Sequence, residues 1–292
     1  MKDRRASHSR WRFWCHAEES IAVALMAFSF LAVVGSLAAI LMTVIVKGLP
    51  ALSLAMLTQT PKGGYYLGKE GGVLNAIAGS LLLAGGASFL ALLLGLPIAL
   101  YQGVFAPRAR WTGAVRLALD VLWGVPSIVY GAFGFTVMLL IGLRASLLGG
   151  IFVLTLLELP IMVRGMEEVI RITPRELRES SLALGTTRLE LMAVITRQAL
   201  PGILTAVLLA FGRGIGDAAS VLFTAGYTDR MPTSLVRPVA SLPLAVFFQL
   251  GTPFPEVQQR AYAAALILTF IVLVTSLGSR GLARRLARNV VK

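Results

Sequence analysis

The sequence predicts an all-α integral membrane protein with six transmembrane helices. Three observations carry that reading. The 292 residues are 57% hydrophobic and only 14% charged, against roughly 25% charged in ordinary soluble domains. The apolar residues gather in six runs, near 21–46, 75–101, 118–141, 146–163, 203–225 and 261–279, and about 20 such residues cross a bilayer. The basic residues between the runs are concentrated on alternate sides.

The first run follows Lys2, Arg4, Arg5, Arg10 and Arg12 and extends from Ile21 to Val46. It exceeds the roughly 7–15 residues of a signal-peptide core and is expected to be a retained helix. The Gly-rich stretch 58–72, TQTPKGGYYLGKEGG, reads as a turn. It divides residues 1–72 (basic N-terminus, first helix and outer loop) from a five-helix bundle over 73–280, with a basic tail at 281–292. The fourth run is short and meets Glu158, Pro160 and Arg164, where a tilt or break is expected. Segment 235–250 is apolar but contains Pro238 and Pro243. A re-entrant or interfacial piece fits it better than a seventh span, because non-helical backbone at depth must be covered by protein.

Charge sets the expected orientation. With the N-terminus inside, segments 1–20, 102–117, 164–202 and 280–292 hold 19 of the 27 Lys and Arg, the outer segments hold seven, and Arg213 lies within a span. This asymmetry satisfies the positive-inside rule and explains the net charge of +13 without nucleic acid. Both termini are thus expected in the cytoplasm, and the basic tail is expected to meet anionic lipid headgroups.

The inner loop 164–202 has the pattern of a helix–turn–helix. Thr173-Pro174-Arg175-Glu176 reads as a helix start with Thr173 as cap and Pro174 at the first helical position. Gly185-Thr186-Thr187 is expected to break the helix, with a second one starting near Thr187. Leu177, Ser181 and Leu184, and Leu182, Leu189 and Met192, recur at spacings compatible with helical faces, and apolar teeth in a charged frame suit a groove on a partner protein or an amphipathic helix resting on lipid.

Glu179-Ser180-Ser181-Leu182-Ala183-Leu184-Gly185, with Ile195 ten residues after the glycine, resembles the E-A-A…G…I motif of ATP-binding-cassette importer permeases. Ser180 and Ser181 stand where alanines are usual. The resemblance implies a type I importer permease bundle whose residues 179–185 couple to an ATPase subunit. The blocks LWGVPSIVYGAFG (122–134), LELPIMVRGMEEVIRITPRELRE (157–179), LPGILTAVLLAFGRGIGDAASVLFTAG (200–226) and AYAAALILTF (261–270) are similar, in order, to the phosphate-importer permeases of the PstA type. The family implies four kinds of partner: a second permease (PstC-like), two ATP-binding subunits (PstB-like) that carry ATP and Mg, a periplasmic phosphate-binding protein (PstS-like), and membrane lipid. It also implies an inner-membrane location.

Arg213 and Asp217 are the charges that the fifth run must accommodate. At i and i+4 they share a helix face and neutralise each other in part. An ionisable residue inside a span costs roughly 2.5–3.5 kcal/mol on insertion scales and is a functional candidate by default. A guanidinium offers a planar fork of donors suited to phosphate oxygens, and an acidic neighbour can orient it and aid release. Gly212-x-x-x-Gly216 lets another helix approach closely. The plainer reading is a pair that ties two helices together. The family block reads A-R-A-I-G-E-T-A-P, which implies a transport role for Arg213 and Asp217; Asp217 replaces Glu, and Ala218-Ala219-Ser220 replaces Thr-Ala-Pro. Arg164 also matches a family arginine, and reads either as a pathway residue or as a positive-inside anchor. Asp120 and Glu158 read as interfacial or helix-pairing carboxylates.

Other chemistries find no residues. No lysine is followed by Ser or Thr, so no P-loop exists and ATP hydrolysis is expected in a separate subunit. Cys15 is the single cysteine, and His8 and His16 are the only histidines, so neither a metal site nor a catalytic constellation is expected, nor any cofactor in this chain. The expectation is therefore a permease subunit moving inorganic phosphate. Another oxyanion (tungstate, molybdate or sulfate) and an ion-coupled secondary transporter are the alternatives.

Overall fold

The structure is a computed structural model that describes residues 3–62, 70–105 and 110–287. Residues 63–69 of the expected turn at 58–72 fall outside these residues, as does the end of the basic tail.

Helix α1 (Asp3–Gly48) is followed by the short α2 (Leu54–Thr58), then α3 (Leu74–Leu100), α4 (Arg110–Gly124), α5 (Ser127–Leu140) and α6 (Leu147–Arg171). The order continues with α7 (Arg175–Ala183), α8 (Arg188–Ile215), α9 (Leu242–Leu250) and α10 (Pro255–Ala287). The β structure among the described residues is one antiparallel pair, Pro61–Lys62 with Glu70–Gly71. Five helices are long and apolar enough to cross a membrane, and α4 with α5 forms a sixth candidate bent by 104°.

The centre of the bundle is α3 against α6. Ala84, Ala87, Ser88, Ala91 and Gly95 recur at helical spacing along α3, and all are buried. Small side chains let two backbones approach closely where lipid supplies no hydrophobic drive between helices. Gly86 faces Ile151 and Gly95 faces Val163 and Met166, so the two helices run parallel. Gly165 faces Ala206 and Gly202 faces Val169, so α8 runs antiparallel to α6. At the chain's outer edge, Gly48 at the end of α1 meets the Tyr262 carbonyl near the start of α10. The start of α1 and the end of α10 therefore lie at the same end of the bundle as α7.

Four sequence expectations are corrected. The run 118–141 is not one straight span: Pro126, at φ −58° and ψ 138°, stands between α4 and α5. Proline has no N–H to continue the ladder, so α4 turns away across the bundle end. Pro160, by contrast, does not break α6; both sides of the helix are clasped by α3 and α8. Thr173 does not cap α7. Its N–H closes the end of α6 onto the Ile170 carbonyl at 3.3 Å, and Pro174 holds the cap position with no side-chain bond. Finally, the run 203–225 is not one helix, because α8 ends at Ile215.

Candidate functional site

α8 begins with a complete capping box. The Thr187 backbone N–H and hydroxyl donate to the Glu190 carboxylate at 2.7 and 2.8 Å, and the Glu190 N–H donates back to the Thr187 hydroxyl at 3.4 Å. From there 28 residues rise by about 42 Å at 1.5 Å each. Ile195, Ala199, Ile203, Ala206 and Ala210 form its buried stripe. The helix stops at Gly216, level with the middle of α6: an added Cβ on Gly214 would lie 1.8 Å from Glu158 Oε1, and Glu158 is near the midpoint of that helix.

Beyond this break the chain packs into the bundle at both ends of the segment that follows, while most of residues 229–238 lie exposed. Residues 216–241 contain no helix, yet Ser220, Thr224, Ala225, Val239 and Ala240 are buried. Backbone without a helix can lie at membrane depth only if its polar groups find partners in protein, and here they do. The Ser146 N–H donates to the Thr224 carbonyl at 2.8 Å, Leu147 to Arg237 at 2.9 Å and Val239 to Ala225 at 2.9 Å. The Ser80 hydroxyl accepts from Leu242 N–H at 2.8 Å, and the Asn75 amide donates to the Thr228 carbonyl at 2.7 Å. The segment 235–250 thus ends in α9, packed on α3 and α10.

At the break Arg213 Nη1 donates to Asp217 Oδ1 at 2.8 Å. The two differ in environment: the Arg213 side chain is 47% exposed and that of Asp217 only 5%. Asp217 lies beyond the helix rather than on it, its N–H on the Gly214 carbonyl at 3.1 Å. Its second oxygen accepts the Ser220 N–H at 2.8 Å. The carboxylate therefore holds the arginine and caps the following turn, while the guanidinium keeps about half its surface for another group. Asp217 also lines, with Gly214, Ser80 and Ser241, a cavity of about 10 Å³, the space of one water.

Arg164 does not join this pair. It lies six residues beyond Glu158 on α6, about 9 Å towards the α7 end. Its Nη2 bonds Asp120 and the Arg116 carbonyl, its Nη1 bonds Glu167 at 3.2 Å, and Arg116 bonds the other Glu167 oxygen. Two arginines and two carboxylates thus fasten α4 to α6. The sequence suggested Arg164 and Asp120 separately; Arg116 and Glu167 were missed, because their pairing joins residues far apart in the chain with no shared period.

Gly212 and Gly216 meet no other helix among the described residues. The glycine that admits a neighbour is Gly214, against Glu158.

At the other end, α7 presents Leu182 and Leu184, and the first turn of α8 presents Leu189; Leu184 is 85% exposed. Glu179 and Ser180 are exposed as well, whereas Ser181 is buried with its hydroxyl on the Leu177 carbonyl at 2.7 Å. Gly185 adopts φ +78°, the left-handed conformation that ends a helix at little steric cost only for glycine. Arg178 anchors α7 through a 3.3 Å bond to the Ile170 carbonyl; burial, with Arg175 nearby, lowers its pKa.

The profile of the binding-protein-dependent transport system inner membrane component matches residues 91–292. The chain belongs to that family. It is 34% identical over 275 residues to the phosphate transport system permease protein PstA of Yersinia pestis, covering 94% of this chain and 92% of that protein. It is 35% identical to the PstA of Xylella fastidiosa strain Temecula1 over 83% of this chain and 84% of the relative. A probable ABC transporter permease of Bacillus subtilis, YqgI, is 32% identical over 82% of this chain and 86% of its own length. Among solved structures, an inward-facing form of the MetNI methionine ABC transporter superposes with a TM-score of 0.61 at 18% identity, covering 73% of this chain and 95% of that one. At that identity it bears on the fold alone. Family membership decides against the ion-coupled secondary transporter. The permease is a multi-pass inner-membrane protein of the type I importer fold, and as a transport subunit it is not itself an enzyme.

Proposed function

We propose that this permease subunit moves inorganic phosphate across the inner membrane, with Arg213 meeting the anion in transit. The observation that carries the reading is the half-exposed guanidinium at the broken end of α8, fixed by a buried carboxylate. Planar donors suit phosphate oxygens, and the countercharge keeps the site from holding the anion too tightly to release it. The PstA relatives of two organisms support the substrate. Arg164, held by two carboxylates, serves the pathway by keeping α4 on α6 at its α7 end.

In this reading a PstC-like permease pairs with the chain, Gly212 and Gly216 lying on the face that meets it. Two PstB-like subunits bind ATP and Mg²⁺ and hydrolyse the nucleotide, one of them seated on Leu182, Leu184 and the Glu179–Gly185 turn. A PstS-like protein delivers phosphate. The α7 end and both termini face the cytoplasm, as the distribution of Lys and Arg requires.

The test is ATP-driven uptake of labelled phosphate by the assembled importer. Arg213→Ala is expected to abolish uptake with assembly intact; normal uptake would sink the pathway role. Sulfate, molybdate and tungstate are expected to compete poorly, and strong competition by one of them would reassign the substrate.

A further inference from the structure

Glu158 is a carboxyl group that the reading above leaves without work. It is fully buried near the middle of α6, where a leucine would cost far less. The Ser88 hydroxyl on α3 donates to Oε2 at 2.6 Å. No donor among the described residues reaches Oε1, which instead rests on the bare backbone of Gly214: an added Cβ there would lie 1.8 Å from that oxygen and 2.8 Å from the carboxyl carbon. The side chain thus spans from α3 through α6 to α8 at one level.

The place it touches is where the Arg213–Asp217 pair is hung. Arg213 is bonded covalently to residue 214. Asp217 reaches the same residue through its N–H on the Gly214 carbonyl at 3.1 Å. One residue later α8 ends, so no further turn of helix stiffens the position. A contact at Gly214 therefore fixes the depth and rotation of both members of the pair at once.

We propose that Glu158 is a positioning residue for transport: braced by Ser88 and seated on Gly214, it sets where the Arg213 guanidinium stands in the pathway. This rests on the reading that Arg213 meets the anion, and the experiment separates the two. The assay is ATP-driven phosphate uptake by the complete importer, expressed per assembled complex and resolved into KM and Vmax.

Displacing a positioned group by about 1 Å costs on the order of 100-fold, so Glu158→Ala is expected to lower Vmax about tenfold or more, at unchanged KM. Glu158→Gln keeps the length and the acceptor for Ser88, and is expected to stay within about twofold of the parent by the same geometric argument. Gly214→Ala drives a methyl into the carboxyl and is expected to lose uptake. Adding Glu158→Asp, one methylene shorter, to Gly214→Ala is expected to restore most of it. Full uptake by Glu158→Ala or Gly214→Ala overturns the proposal, as does failure of Glu158→Asp to rescue. If Gly214→Ala prevents assembly, rescue of assembly by Glu158→Asp reports the contact and the Vmax of Glu158→Ala reports the positioning. Normal uptake by Arg213→Ala would sink the pathway reading and with it the positioning role of Glu158, whereas loss of uptake by Arg213→Ala together with full uptake by Glu158→Ala would overturn the positioning role alone.

Discussion

The two ends of α8 handle charge and apolar surface in opposite ways. At its start, charged and capping groups lie in the open, and Leu184 and Leu189 project beside them with nothing to cover them. At its finish Asp217 is buried, its polar links running to Gly214, Ser220 and Arg213. Exposed leucines in a charged frame are unfinished surface, which in the proposed reading a partner completes. A buried carboxylate with both oxygens engaged is finished architecture, and only the arginine it holds is left with surface to offer. The contrast teaches that the functional group at each end is the one that is incompletely satisfied.

This contrast can be broken by substitutions at either end. The largest effect is expected from Asp217→Leu, which removes the partner of Arg213 and the cap of the 217–220 turn together. Without the carboxylate the half-exposed guanidinium loses its fixed position, and a displacement of about 1 Å costs on the order of 100-fold, so phosphate uptake per assembled complex should fall by that order; parent-like uptake would mean the carboxylate is not part of the site. Next is Leu184→Asp at the start. A central apolar anchor is worth about 2 kcal/mol in a protein interface, so co-purification of the ATPase subunit should weaken about 30-fold while the chain still reaches the membrane. If ATPase association is unchanged, these leucines rest on lipid instead.

Two smaller effects sharpen the boundary between machinery and scaffold. Arg116→Ala leaves Glu167 with Arg164 alone, and the purified permease should melt a few degrees lower, an expected loss of about 1 kcal/mol for a partly exposed pair. Its phosphate KM should not move, which would set this cluster apart from Arg213. Thr187→Ala removes the helix cap, for which about 1 kcal/mol is typical. Faster hydrogen exchange confined to the first turn of α8, with uptake nearly unchanged, is the expected result; protection equal to the parent's would show that partners, not the capping box, hold that turn.

Much of this was legible in one dimension. Long apolar runs, the helix start near Thr187 and the glycine at 185 are local signals, and each appears in the structure at the residues that carry it. Pro126 was equally visible, but whether a proline breaks a helix depends on what flanks it: α6 keeps Pro160 because α3 and α8 enclose it, whereas α4 and α5 part at Pro126. The early end of α8 was hidden for a related reason. Residues 216–225 are as apolar as a span, and hydropathy reports burial without distinguishing a helix from a loop packed in protein.

The sequence by itself determined the class of molecule, its long apolar helices, the glycine turn at 185 and the identity of the charged pair, since these follow from composition and short spacings. Only the tertiary structure decided that Asp217 lies past the helix and Arg213 on its last turn. It alone brought Glu158 onto Gly214 and joined Arg116, Asp120, Arg164 and Glu167 in one cluster. Those arrangements depend on side chains from different helices meeting at one depth, and depth is set by how parallel α3 and α6 and antiparallel α8 pack, which no periodicity along a single helix encodes.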